Sequence, residues 1–225
     1  IGVTTFALHD ADNAGTSADV VAWPADPAHA SFHIADGDQA LGDYHLSIDG
    51  DFNYLNAAAA IAIAHAVGVS LDDADALHAI ESVRIAGRME QFRIKGTGVM
   101  LNLAKNPAGF NQNISAVMQD KTQKDIIITI NDNAQDGTDI SWLWDVDFDL
   151  LGDASIHSIT VSGIRCQDMR LRMKYVDIPV MLEENVETAI RKRIEDGVGN
   201  LYVLVNYTAL FSTHNILKKM EGEKE

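Results

Sequence analysis

Residues 103–111 read Leu-Ala-Lys-Asn-Pro-Ala-Gly-Phe-Asn and join an apolar run, residues 99–103, to a helical pattern. Asn106 suits the N-cap position because its side-chain oxygen can accept a hydrogen bond from a free backbone N–H. Pro107 suits the first helical position, where its missing N–H costs nothing and its φ is already helical. This stretch therefore predicts a strand that leads directly into a helix.

The N-terminus of this predicted helix is a candidate anion-binding or partner site. The first backbone N–H groups of a helix have no intrahelical partner, and Lys105 stands next to the capping residue Asn106. An ordinary strand-to-helix turn explains the same residues equally well, so both interpretations stay open.

Strands and helices are predicted to alternate through the rest of the chain. Residues 91–95 and 98–103 have the pattern of a hairpin, and residues 125–130 are β-branched and apolar on both faces, as in a central parallel strand. Further strands are predicted at residues 158–162 and 201–205, and helices at residues 166–175, 183–195 and 208–220. The alternation predicts a Rossmann-like α/β domain with a mostly parallel sheet, in which ligands collect where strands end, as at Gly163 and Asn206.

The N-terminal third of the chain has a different pattern. Residues 1–49 contain short apolar runs at 20–23, 31–34 and 44–48, separated by Asp, Gly and Pro, which predicts short strands and turns. Helices are predicted at residues 57–67, closed by Gly68, and at residues 71–83. The helical pattern breaks at residues 85–90, so we place a domain boundary between residues 86 and 87.

Composition excludes several classes of protein. The formal charge of −16 argues against nucleic acid or an anionic membrane surface as a partner. The single cysteine, Cys166, rules out an internal disulfide and favours a reducing cytoplasm. No apolar run approaches the roughly 20 residues that span a bilayer. Because the chain begins at Ile1 without Met, we expect it to be part of a longer protein.

Motifs for phosphate or metal binding are missing from the sequence. It contains neither Gly-x-x-x-x-Gly-Lys-Ser/Thr nor Gly-x-Gly-x-x-Gly, and its histidines are scattered without metal spacing. By itself, therefore, the chain is not expected to hydrolyse ATP.

An acidic loop, residues 131–149, follows the predicted strand at 125–130. Most of its aspartates are expected to be solvated. Asp136 and Gly137 have the composition of a turn. Trp142 and Trp144 lie beside Asp139 and Asp145, which predicts a packed, partly dry site, although core packing accounts for one of the tryptophans.

Four motifs in this order carry a resemblance to a known family. They are residues 105–111, then Asp-Gly-Thr-Asp-Ile-Ser-Trp-Leu-Trp-Asp at 136–145, Ser-Gly-Ile-Arg-Cys-Gln-Asp-Met at 162–169, and Asn-Tyr-Thr-Ala-Leu at 206–210. From about Gly50 to the C-terminus the chain resembles the MurT family, the Mur-ligase-like subunits of lipid II isoglutaminyl synthase. The resemblance implies that residues 1–86 end the central ATP-binding domain and that residues 87–225 form the C-terminal domain.

The resemblance also implies a reaction, cofactors and a partner. A MurT-type ligase uses ATP and Mg²⁺ to activate the α-carboxylate of D-Glu in the lipid II stem peptide, and a GatD-type glutaminase supplies ammonia. The nucleotide loop would precede Ile1, so this chain alone is expected to be inactive. Many relatives carry a four-cysteine zinc ribbon in the region of residues 1–49, and its absence here predicts no zinc. The expected location is the cytoplasm, at the inner face of the membrane.

The resemblance also implies roles for individual residues. Arg88, in Gly-Arg-Met-Glu, corresponds to a hinge arginine that reaches the nucleotide, and Asn53 and Asn56 correspond to a segment that approaches adenine. The alternatives are a surface arginine paired with Glu90 and two helix-capping asparagines. Asp139 is our choice for the aspartate that completes the Cys–His pair of the glutaminase.

Asp145 is the second choice for this aspartate, and the sequence does not decide between Asp139 and Asp145.

Two other functions stay open. A Mur or folylpolyglutamate-type ligase would join an amino acid instead of ammonia, but such ligases typically have Asp-Tyr-x-His-x-Pro where this chain has Lys-Asn-Pro-Ala-Gly at 105–109. A non-catalytic module could instead bind a partner through the acidic face.

Overall fold

The computed structural model of the protein describes residues 5–8, 18–26, 31–46, 51–70, 74–82 and 86–223. The chain forms two compact units, Ile1–Arg84 and Ile85–Glu225, which we call the first and second units. The division falls after residue 84, close to the boundary predicted after residue 86. The assignment of the first unit to a central ligase domain stays a prediction.

The first unit packs a four-stranded sheet against helices. The sheet order is β1-β2-β3-β4, with β1 parallel to β2 and the other neighbours antiparallel. In its core, the ring of Phe32 lies 5.7 Å from that of Tyr44 and 5.5 Å from that of Tyr54. The elements are β1 (Phe6–Leu8), β2 (Val20–Asp26), β3 (Ser31–Asp36), β4 (Gln39–His45), α1 (Asp51–Ala66) and α2 (Ala74–Glu81).

Four predictions for this unit are corrected by the structure or extend beyond the described residues. Helix α1 begins at Asp51, six residues before the predicted start at residue 57. Asn53 and Asn56 therefore lie inside α1, and the interpretation of either as an N-cap is wrong. The strand predicted at 44–48 is the end of β4, and residues 47 and 48 lie outside the described part of the chain. The helix predicted at 71–83 corresponds to α2, whose predicted ends at 71–73 and 83 also lie outside it.

The second unit has the predicted Rossmann-like α/β fold. Its sheet order is β5-β6-β10-β7-β8-β9, in which β5 and β6 form an antiparallel hairpin and every other neighbouring pair is parallel. The strands are β5 (Glu90–Ile94), β6 (Thr97–Leu103), β7 (Lys124–Thr129), β8 (Ile156–Ser162), β9 (Met181–Leu182) and β10 (Asn200–Val205). The helices are α3 (Pro107–Gln119), α4 (Cys166–Lys174), α5 (Val186–Glu195) and α6 (Tyr207–Gly222).

Strand β7 shows why this sheet must be covered on both faces. All six of its residues are buried. Ile126 and Ile128 pack in a cluster with side chains of α3 and α4, whereas Ile127 packs in a second cluster with side chains of α5 and α6. A strand that is apolar on both faces is stable only between two helical layers, as the sequence predicted.

Helices α3 and α5 begin where a local asparagine side chain caps them. Asn106 caps α3 as predicted, since its Oδ1 accepts a hydrogen bond of 2.8 Å from the backbone N of Gly109. The helix predicted from residue 183 begins at Val186 instead, because Asn185 caps it by accepting from Thr188 N at 3.0 Å. The sequence pattern also missed the two-residue strand β9.

Gly163 occupies a position that excludes any side chain. Its φ is +84°, and a Cβ there would lie 2.7 Å from the carbonyl oxygen of Ile130 and 2.8 Å from Oδ1 of Asn131. Gly197 has a similar φ of +80°, but nothing lies within 4 Å of its Cβ position. The two glycines therefore share a conformation and differ in crowding.

We expect Gly163→Ala to lower the free energy of unfolding by about 2–4 kcal/mol, from left-handed backbone plus overpacking. Gly197→Ala is the matched control and should cost only about 1 kcal/mol, because it adds the backbone term alone. Urea denaturation followed by tryptophan fluorescence measures both. Equal losses for the two variants would show that the contacts around Gly163 do not restrict it.

Candidate functional site

The candidate site lies at the carboxyl edge of the sheet in the second unit, where the parallel strands end. Asn131 follows β7 and Asn206 follows β10, and the two are joined by a pair of hydrogen bonds. Oδ1 of Asn206 accepts from the backbone N of Asn131 at 3.0 Å, and its Nδ2 donates to the carbonyl oxygen of Asn131 at 2.7 Å. Oδ1 of Asn131 accepts in turn from Ile164 N at 3.1 Å, beyond β8. Three strand ends are thus linked through one side-chain network.

The acidic loop is attached to helix α6 through Asp136. The backbone N of Thr208 donates to Oδ1 of Asp136 at 2.8 Å, and the Thr208 hydroxyl donates to Oδ2. Nδ2 of Asn133 donates to the same hydroxyl at 2.9 Å. Asp136 therefore caps a helix that begins 71 residues later in the chain, at Tyr207. The sequence predicted only a turn at Asp136 and Gly137 and did not predict this helix cap.

Arg172 of α4 holds the middle of the acidic loop. Its Nε donates to the carbonyl oxygen of Leu143 at 3.1 Å and its Nη2 to that of Val146 at 2.8 Å. The guanidinium lies 5.5 Å from the centroid of the Trp144 ring and 5.4 Å from that of Phe148. Because Arg172 is only 8% exposed, these bonds to carbonyls are shielded from water.

The acidic loop is also bonded to α3. Nδ2 of Asn111 donates to Asp147 Oδ2 at 2.9 Å, and Asn111 Oδ1 accepts from the backbone N of Asp147 at 3.0 Å. Phe110 packs its ring 5.7 Å from that of Trp142. Two motifs singled out from the sequence, at 105–111 and 136–145, are therefore neighbours in space.

The expected partly dry site around Asp139 and Asp145 is wrong, since both aspartates are exposed. Trp142 is partly buried against the core, as expected for one tryptophan, and Trp144 is 49% exposed with its ring against Tyr175 at 5.1 Å. The loop is fixed by other groups, and the carboxylates of Asp139 and Asp145 face solvent.

Asp139 carries a carboxylate that stays ionised. Its Oδ1 accepts a hydrogen bond of 2.8 Å from the backbone N of Ser141, at the start of a 3₁₀ helix, Ser141–Asp145. This bond, with a second from the Ser141 side chain, lowers the pKa of Asp139. A lowered carboxyl pKa keeps the group negative and able to accept hydrogen bonds at neutral pH.

Arg165 is a site residue that sequence reasoning missed. Its Nη2 lies 2.6 Å from Asp132 Oδ2, and its Nη1 lies 3.5 Å from Asp168. Hydrogen bonding to Asp132 raises the pKa of Arg165. The signal was the position of Arg165 three residues after the predicted strand at 158–162, but its carboxylate partner lies 33 residues earlier in the sequence.

The remaining predicted residues lie apart from this network. Lys105 and Asn106 are exposed at the start of α3, with the Asn106 side chain used in capping. Arg88 is exposed before β5, and it is not paired with Glu90, whose Oε2 accepts from Gly87 N instead. Asn53 and Asn56 are half-buried and exposed, respectively, on α1 of the first unit.

A depression of about 540 Å³ opens at the carboxyl edge, lined by Thr129, Asn131, Gly163, Glu184 and Ser212 among others. In the described ranges, no three His, Cys, Asp or Glu side chains lie close enough together to hold a metal ion. No helix of the part that the structure describes is long and apolar enough to cross a membrane.

The fold is similar to that of a protein of known structure. The structure is similar to that of MurF from Acinetobacter baumannii, with a TM-score of 0.68 and 16% sequence identity over 93% of this chain and 46% of that one. The chain therefore shares the fold of part of MurF.

Sequence comparison identifies the family within the proteins that share this fold. Residues 103–210 match the family model described as MurT ligase C-terminal. The chain is 37% identical, over 74% of its length, to the MurT subunit of lipid II isoglutaminyl synthase (glutamine-hydrolyzing) from Staphylococcus aureus strain COL. It is 30% identical, over 78% of its length, to the subunit of the same name from Streptococcus pneumoniae. The chain belongs to the MurT ligase family.

The match is to a portion of each relative. The chain spans 38% of the length of the Staphylococcus aureus protein and 40% of that of the Streptococcus pneumoniae protein.

We expect Asp136→Ala to destabilise the second unit by about 1 kcal/mol, the usual cost of a lost helix cap. Amide hydrogen exchange should quicken at residues 131–140 and in the first turn of α6. Asp149→Ala, which removes an exposed carboxylate from the same loop, is the control and should leave both measurements unchanged. Matching exchange rates in the two variants would contradict the role of Asp136 in fixing the loop.

Proposed function

We propose that this chain is the C-terminal portion of a ligase subunit that amidates the α-carboxylate of D-Glu in the lipid II stem peptide, giving D-isoglutamine. The ammonia would come from glutamine, released by a GatD-type glutaminase subunit. The relatives named above support this proposal, since each bears the name of a glutamine-hydrolyzing lipid II isoglutaminyl synthase subunit. The structural observation behind the proposal is that Asp139 is exposed on a loop that Arg172 of α4 and Asn111 of α3 hold in place.

The chemistry requires activation of the carboxylate, because a carboxylate is a poor electrophile at neutral pH. ATP with Mg²⁺ would supply the phosphoryl group that makes the acyl carbon reactive. Arg88 is the residue of this chain that suits a contact with the nucleotide. Its exposed, planar guanidinium can donate two hydrogen bonds to phosphate or ribose oxygens. We assign no metal ligand in this chain, and we propose that the phosphate-binding loop lies outside it.

Asp139 would act on the partner rather than on the ligase substrate. A carboxylate next to a Cys–His pair holds the imidazole in the correct tautomer and stabilises its protonated form. Asp139 suits this role because its carboxylate is exposed and its pKa is lowered. The loop behind it is fixed by Arg172 and Asn111, so the carboxylate can be presented to a second protein without a large ordering cost.

Lys105 and the N-terminus of α3 form a second proposed contact. Lys105 is exposed, and Pro107 and Asn106 fix the first turn of the helix. A cation beside free helical N–H groups attracts an anion. We propose that this turn binds an anionic group of the substrate or of the partner.

A ligase that joins an amino acid is the alternative, and fold does not decide against it. MurF shares the fold at 16% identity, which carries no information on the substrate. The sequence at 105–109, Lys-Asn-Pro-Ala-Gly, favours the amidating subunit. Co-purification of the full-length protein with the glutaminase, followed by an amidation assay on lipid II, tests the proposal. Incorporation of an amino acid instead of ammonia would overturn it.

We expect Asp139→Asn to reduce glutamine hydrolysis in the complex by about four orders of magnitude in kcat, as loss of a triad carboxylate does. Amidation driven by free ammonium should survive, because that route bypasses the partner's cysteine and histidine. Subunit assembly should be unchanged in gel filtration.

Asp145→Asn is the matched variant on the same loop. If glutamine hydrolysis fell in Asp145→Asn and not in Asp139→Asn, the triad role would pass to Asp145. If neither variant slowed glutamine hydrolysis, the shared triad would be wrong and the acidic loop would serve only to dock the partner.

We expect Arg88→Ala to raise the KM for ATP of the full-length complex by roughly 10- to 100-fold, the effect of losing a charged hydrogen bond worth about 1.5–3 kcal/mol. The KM for glutamine should not change. Steady-state kinetics with ATP as the varied substrate measures this. An unaltered KM for ATP would place Arg88 outside the nucleotide site.

A further inference from the structure

The turn that carries Arg88 has an unusual backbone. Gly87 has a φ of +72° and Met89 a φ of +50°, so both neighbours of Arg88 are left-handed. A residue with a side chain is uncommon in this conformation and keeps it only where its surroundings determine it. The backbone on both sides of Arg88 is therefore set by contacts with the rest of the second unit.

Gly87 is held against helix α6 and strand β6. Its carbonyl oxygen accepts from Leu103 N at 2.8 Å, and its N donates to Glu90 Oε2 at 3.0 Å. A Cβ at Gly87 would lie 2.3 Å from Cδ1 of Leu210. Only glycine therefore permits this close approach to α6.

Met89 is held by a buried amide. Its backbone N donates to Oδ1 of Asn102 at 3.3 Å, and Nδ2 of Asn102 lies 3.1 Å from the Met89 sulfur. The same Nδ2 donates to Oδ1 of Asn113 at 2.7 Å. Asn102 is only 7% exposed, so its position is fixed by the core of the second unit.

Glu90 and His214 complete the support of the turn. Nδ1 of His214 lies 3.0 Å from the same Glu90 Oε2 that accepts from Gly87. A carboxylate can only accept, so Nδ1 carries the proton. The side chains of His214 and Glu90 are 14% and 22% exposed, and the rings of His214 and Phe92 pack in a T-shaped arrangement with their centroids 6.0 Å apart. Helix α6 therefore fixes the carboxylate that fixes the turn.

We propose that His214, Glu90 and Asn102 are positioning residues that orient Arg88 towards the nucleotide. Arg88 is exposed and forms no ion pair within the described residues, while the backbone on either side of it is tied to β6 and α6. This arrangement presents one cationic side chain from a rigid turn, which lowers the ordering cost of a contact with an anion. The inference rests on the proposed function, since it takes Arg88 as a nucleotide contact.

The test uses the full-length ligase with its glutaminase partner and ATP as the varied substrate. His214→Leu should raise the KM for ATP by about tenfold, because a small misplacement of a binding group has large effects. It should leave kcat and the KM for glutamine near the wild-type values. His214→Asn, whose amide nitrogen can replace Nδ1 as the donor to Glu90, should restore most of the affinity for ATP.

Two further variants separate a positioning role from a structural one. His157→Leu removes a more exposed His–carboxylate pair at the amino edge of the sheet, where His157 Nδ1 lies 2.8 Å from Asp125, and it should leave the KM for ATP unchanged. Asn102→Ala removes the acceptor of the Met89 N–H without touching His214 and should also raise the KM for ATP. It keeps the inference testable if His214→Leu fails to fold.

The double variant Arg88→Ala/His214→Leu decides between the inference and the proposed function. If His214 acts through Arg88, the double variant should match Arg88→Ala alone. If the effects of Arg88→Ala and His214→Leu on the KM for ATP multiply in the double variant, or if the KM for ATP is wild-type in both His214→Leu and Asn102→Ala, the positioning role is overturned and Arg88 remains a nucleotide contact. A wild-type KM in Arg88→Ala would instead remove the nucleotide contact itself, and the inference with it.

Discussion

The insertion of β10 between β6 and β7 is the constraint on which the second unit depends. Strand β10 completes the centre of the sheet, because β6 and β7 share no hydrogen bonds with each other and are joined only through residues 200–205. The pairing places Asn206 beside Asn131, where their two hydrogen bonds join the ends of β10 and β7. It also places the start of α6 beside Asp136. The carboxyl edge is therefore assembled only when the whole domain has folded.

The two surfaces for which we propose functions have a feature in common. In each, groups distant in the sequence fix a loop or turn and leave a charged side chain exposed. Arg172 binds carbonyl oxygens of the acidic loop, and the carboxylates of Asp139 and Asp145 remain in solvent. Glu90, bonded to His214, fixes the turn before β5, and Arg88 remains in solvent. In each case the buried hydrogen bonds set the backbone, so the exposed charge can meet a partner or ligand at low entropic cost.

Much of the fold could be predicted because the relevant signals are local. The apolar character of residues 125–130 on both faces required two helical layers, and Asn106 with Pro107 specified where α3 begins. Errors came where local signals are weak. Alanine-rich α1 begins at Asp51, earlier than its strongest helix-forming run, and the start of α5 was placed three residues early because Asn185 was not read as its cap.

The sequence by itself determined the α/β architecture, the strand ends at which the site lies and the family motifs that lie there. The tertiary structure alone decided which groups meet. Glu90 and His214 are 124 residues apart, Asp136 and Thr208 are 72 apart, and Arg172 lies 26 residues after its acceptor Val146. It also decided that Asp139 and Asp145 face solvent rather than a dry pocket. Hydrophobic periodicity indicates which face of a helix or strand is buried. It does not indicate which distant polar group forms a hydrogen bond with a given backbone atom.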